Sequence, residues 1–98
     1  FGIKKICAHY LVRRRDEKGH AKGRLFNLCY DAHERKVNLR KRFEPPQKQD
    51  GEGPPVNLDL NDAKERIEAA LQQEIITWLP ERQARAGLQI SLVGLHAQ

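Results

Sequence analysis

Between Lys36 and Phe43 the chain alternates. Val37, Leu39 and Phe43 are apolar, and Lys36, Asn38, Arg40 and Arg42 stand between or beside them. Successive side chains of a strand leave opposite faces, so this period of two predicts a half-buried strand with a cationic wet face. The same period recurs earlier. Ile3–Arg13 predicts a first strand, with Ile6, Ala8, Tyr10 and Val12 on one face and Lys5, Cys7, His9, Leu11 and Arg13 on the other. Arg24–Tyr30 predicts a second, with Phe26, Leu28 and Tyr30 sharing a face. The stretch Arg14–Gly23 is polar with two glycines and predicts the hairpin loop between them. A one-residue slip would send every apolar side chain to the wrong face. One of the registers allowed by this parity sets Tyr10 opposite Phe26, Ala8 opposite Leu28 and Cys7 opposite Cys29. Asp31–Arg35 reads as a turn, with the Asp31 side chain bonding to the backbone that follows.

The pattern then changes. Glu44–Leu58 carries Pro45, Pro46, Pro54, Pro55, Gly51 and Gly53, which exclude helix and central strand and predict a mobile crossover loop. From Asp62 the apolar positions Ala63, Ile67, Ala70, Leu71, Ile75, Trp78 and Leu79 form one helical stripe. Asp62 with Glu65 resembles a capping box. Pro80 ends this helix near Leu79, and a short turn through Ala86 follows, closed by Gly87. Leu88–Leu95 predicts a last strand, in which Val93 and Leu95 break the alternation and imply cover on both faces. Trp78 and Leu79 are expected to close the core.

The expected fold is therefore α+β: β-β-β-α-β in one small domain, a four-stranded mostly antiparallel sheet of order 3-2-1-4 with one long helix on one face. A right-handed crossover through the helix would set the last strand parallel to the first. The helix would cover Ile6, Tyr10, Phe26, Leu28, Val37 and Leu39, leaving Lys5, Arg13, Lys36, Arg40 and Arg42 on the opposite face. This order of elements resembles the core topology of ribonuclease H-like folds. That family's metal chemistry rests on strand carboxylates, and residues 3–13 hold no Asp or Glu, so no activity is carried over.

Charge adds a functional direction. The net charge is +5 over 98 residues, but residues 1–43 hold 13 Lys+Arg against 4 Asp+Glu, and residues 44–98 hold 5 against 9. A basic half beside an acidic half suggests a face for a polyanion. The candidate contacts are Arg13, Arg14, Arg15, Lys22 and Arg24 around the first hairpin and Lys36, Arg40 and Arg42 on the third strand, with Asn27 and Asn38 adding hydrogen bonds. Such a cluster holds a phosphate backbone by releasing counterions, without reading sequence. The bland reading is a solvated face whose cations discourage edge aggregation.

Other chemistry finds little support. Cys7, His9, Cys29 and His33 lack the paired spacing of zinc modules. Cys7 with His9 fits a nucleophile–base pair only loosely. There is no phosphate-cradling Gly-rich loop, and no cofactor is expected. Two cysteines make no disulfide framework, and reduced thiols in a cytoplasmic protein are the expectation. No apolar run approaches the roughly 18 residues of a membrane span, and no signal peptide is visible. The chain has no Met and begins at Phe1, which suggests a segment of a longer protein.

The expectation is a non-catalytic accessory module of a nucleic-acid-acting protein, binding DNA or RNA as a monomer or homodimer. The alternative is an interaction or assembly domain that meets an acidic protein surface or pairs an exposed strand edge across a two-fold axis. A small enzyme is disfavoured, because no acid, base and nucleophile converge.

Overall fold

The computed structural model describes residues 4–15, 18–40 and 58–97, with the side chain of Ala21 left aside. Arg42 and most of the expected 44–58 loop lie outside these. Strands β1 (Lys5–Arg15), β2 (Ala21–Asp31) and β3 (Lys36–Arg40) are followed by helix α1 (Leu60–Trp78), a 3-10 turn (Arg82–Arg85) and strand β4 (Gln89–Ala97). The sheet order is β3-β2-β1-β4, as the pattern predicts.

β1 and β2 form a hairpin in the expected register: Tyr10 faces Phe26, Ala8 faces Leu28 and Cys7 faces Cys29. Both strands run further into the predicted loop than their apolar residues do, because Arg13–Arg15 and Ala21–Gly23 also pair. Gly19, at φ 81°, turns the chain at the tip. The β2–β3 turn is held as expected, with the Asp31 carboxylate accepting from the backbone N–H of His33 (2.8 Å) and Glu34 (3.1 Å).

The helix begins earlier than the Asp62 reading. Asp59 is the N-cap, its Oδ1 accepting from the N–H groups of Asn61 (2.9 Å) and Asp62 (3.3 Å). Asp62 instead binds Arg66 one turn on, at 2.9 Å. An aspartate directly before an amphipathic run satisfies orphan donors wherever it falls, and Asp59 is the first to meet that condition. The helix ends at Trp78, before Pro80.

The last strand runs antiparallel to β1, not parallel. The reason lies in the path. The start of α1 sits beside the β2–β3 turn, where Arg66 Nη1 donates to the Arg35 carbonyl (3.2 Å) and its guanidinium lies 5.6 Å from the Tyr30 ring centroid. α1 therefore starts at the end of the sheet where β3 begins. The 19 residues of α1 then carry the chain about 28 Å to the hairpin end, from which β4 can only run back down. β4 also carries a bulge between the partners of His9 and Tyr10. Val93 is the extra residue, and it resets the phase. That bulge, rather than cover on both faces, explains the broken alternation; Val93 and Leu95 are exposed.

One core lies between the sheet and α1. Ile6, Ala8, Tyr10, Val12, Phe26, Leu28 and Tyr30 meet Ala63, Ile67, Leu71 and Ile75, and Trp78 packs against the edge. Leu79 is buried as expected. Val37 is partly covered, but Leu39 is half exposed. No described helix is long and apolar enough to cross a membrane.

Candidate polyanion-binding site at the hairpin tip

The expected basic residues do not share one face. Cross-strand partners point to the same side of a sheet. Arg13, Arg15, Lys36 and Arg40 thus lie on the face away from α1, and Arg14, Lys22 and Arg24 on the face toward it. On the open face, Arg40 sits in the row of Asn27 and His9, four residues or about 13 Å along β1 from the row of Arg13. Lys36 is a further four residues away, in the row of Asp31 and Lys5. Arg13, Lys36 and Arg40 do take the face opposite α1, but they are spread along it, and Lys5, expected among them, is buried. The middle of that face holds His9, Leu11, Leu25, Asn27 and Val93, and a cavity of about 320 Å³ there is lined largely by neutral groups.

What the fold does bring together is a cleft of about 820 Å³ at the hairpin tip, lined by Arg14, Arg15, Lys18, His20 and Lys22 on one side and Glu81, Gln83, Ala84 and Ala86 on the other. Strand pairing creates it. Arg14 and Lys22 stand directly opposite each other, a like-charge pair that costs stability in a sheet. Neither forms an ion pair within the described residues. The opposite wall is the 3-10 turn that follows Pro80. It is anchored by Arg85, whose Nη1 donates to the carbonyls of Leu79 (2.7 Å) and Pro80 (2.9 Å) at the end of α1. Arg85 thus serves the scaffold, and among the described residues Glu81 is the one acidic group lining the cleft. Arg24 is committed too: its guanidinium lies 5.4 Å from the Phe26 centroid and 5.7 Å from that of Trp78.

The cysteine reading is overturned. Cys7 and Cys29 form a disulfide across the hairpin, with Cα atoms 4.0 Å apart, so Cys7 offers no thiolate for a nucleophile pair with His9. The residue missed from the sequence is His96. It stands in register with Cys7, and its ring meets that of His9 edge-on with centroids 5.1 Å apart. Partial burial, and then the neighbouring His96, push the His9 imidazole below its ordinary range. The only signal for His96 was the phase of β4, and the bulge hid it. His33 lies apart, in the β2–β3 turn. Among the described residues, no three His, Cys, Asp or Glu side chains are placed to hold a metal.

No family model matches this chain, and no curated protein and no solved structure matches it either.

Proposed function

We propose that the chain is a non-catalytic module that grips a polyanion, a nucleic-acid phosphate backbone foremost, in the hairpin-tip cleft. The observation that supports this is the Arg14–Lys22 cross-strand pair on the cleft wall. Two cations held side by side raise the folding cost and lower the cost of receiving an anion, since a phosphate between them removes their repulsion. Arg15 extends the basic wall toward the open face, and the stacked Arg24 adds charge beside it on a fixed support. The far-edge cations Lys36 and Arg40 stand too distant to share one phosphate with the tip, and would act only on a ligand that wraps the sheet.

The test is a binding titration of duplex DNA, single-stranded DNA and RNA against salt. Three phosphate contacts predict a loss of about 40-fold in affinity between 50 and 200 mM salt. Arg14→Glu with Lys22→Glu should abolish binding, and Arg40→Glu should weaken it far less. Affinity that ignores salt, or that survives the Arg14/Lys22 exchange, overturns the proposal.

A further inference from the structure

The two edges of the sheet are built differently. β3 carries Lys36 and Arg40 within five residues, the usual protection of an exposed edge. β4, the other edge, reads Gln-Ile-Ser-Leu-Val-Gly-Leu-His-Ala from Gln89 to Ala97. It holds no Asp, Glu, Lys or Arg in nine residues of a chain that is 32% charged. Its large side chains are bare: Ile90 is 43% exposed, Leu92 50%, Val93 56% and Leu95 62%. Ile90, Leu92 and Leu95 stand in register with Val12, Tyr10 and Ala8, so they lie on the helix side. Yet α1 stops short of them. Between α1 and β4 runs a mostly apolar groove of about 240 Å³, floored by Ile6, Ala8 and Tyr10 and walled by Leu60, Asn61, Lys64 and Ile67 on the helix side and by Leu92 and Leu95 on the other.

From this edge we infer that the chain forms a two-fold homodimer through β4, the two copies of the strand pairing antiparallel into one eight-stranded sheet. Three features select a second copy as the occupant. An antiparallel edge is its own complement: turned by 180°, the row of N–H and C=O groups on one β4 meets that on the other, along roughly 30 Å for nine residues. A chain of net charge +5 repels its copy, and β4 is the one strand of the four that carries no Lys or Arg. The apolar rows also end on the same side, so Leu92 and Leu95 of each copy lie about 5 Å from the other's row and shield one another. This inference is independent of the hairpin-tip cleft, which lies at the end of the sheet and stays open in such a dimer.

The experiment is sedimentation equilibrium of the purified chain over a wide concentration range, in parallel with Leu92→Lys/Leu95→Lys and with Leu39→Lys on the opposite edge. Leu92, Leu95 and Leu39 are all half exposed or more, so the substitutions are expected to fold, and far-UV circular dichroism checks this. The expected result is a concentration-dependent dimer that the β4 double variant weakens by about 100-fold or more. Leu39→Lys and Arg14→Glu should leave it intact. A wild-type chain that stays monomeric at every concentration overturns the inference, since β4 then serves some other partner. A dimer that tolerates the β4 lysines, or that Leu39→Lys dissociates, overturns it as well.

Discussion

The Arg24 guanidinium lies over Trp78, 5.7 Å from the centroid of the larger aromatic system, and 5.4 Å from that of Phe26. The two rings themselves meet edge-on at 5.9 Å. A cation on strand β2 thereby ties the sheet to the last turn of α1. Exposed cation–π contacts contribute about 0.5–1 kcal/mol, so Arg24→Ala should lower the melting temperature by about 4 °C. Arg24→Lys preserves the charge but not the planar stack. It should lose much of the same stability while keeping polyanion affinity near wild type. Thermal melts alongside binding titrations separate the two roles.

Asp59, not Asp62, holds the N-terminus of α1. Asp59→Ala should cost about 1 kcal/mol. Asp62→Ala breaks only the exposed pair with Arg66 and should cost at most about 0.5 kcal/mol. Urea midpoints of the two variants rank them; the reverse ranking would return the cap to Asp62.

The disulfide closes 22 residues of sequence. By loop-closure entropy it should stabilise the fold by about 3 kcal/mol. Reduction, or Cys7→Ser with Cys29→Ser, should shift the urea midpoint down accordingly while leaving the strand signal intact at low denaturant. A midpoint that does not move on reduction would show that the bridge is absent in solution.

His9 sets a pH dependence. Partial burial, then His96, disfavour its charged form in the fold, so the unfolded chain binds that proton more readily. The neutral ring's contribution is whole above the ordinary value of 6.5 and is lost as the pH falls below it toward the folded value. Arg40 lines the same cavity, and His96 faces the ring. Denaturant midpoints should therefore drop from pH 8 to pH 5, and His9→Gln should flatten that slope.

Gly94 stands opposite His9, and a Cβ there would come within 3.2 Å of the imidazole Cδ2. Gly94→Val should displace the ring, break its contact with His96 and cost about 1–2 kcal/mol by overpacking. Loss of the interproton contacts between the two rings in NMR spectra is the direct readout.

The sheet order and hairpin register could be read from the chain because a period of two leaves few pairings that bury Ile6, Tyr10, Phe26 and Leu28 together. The stripe from Ala63 to Leu79 placed α1 for the same reason. Three things could not be read. The direction of β4 depends on where α1 starts, and no periodicity encodes that. The phase of β4 depends on a single inserted residue, Val93. The sides taken by Arg14 and Lys22 follow from strand pairing that continues past the apolar residues into the predicted loop, where charge alone gives no register. The open-face positions of Arg13, Lys36 and Arg40 were therefore legible, and the placement of Arg14 and Lys22 on the helix side was not.

The bridge between Cys7 and Cys29 sits on the far side of the hairpin tip from any cut at the exposed Lys18. A protease that nicks the chain there leaves two fragments that travel as one molecule under oxidising conditions and part only when a reductant is added. The basic cleft can thus be opened at its rim without losing either wall, and a nicked, still-bridged form offers a way to see how much of the grip depends on the intact turn.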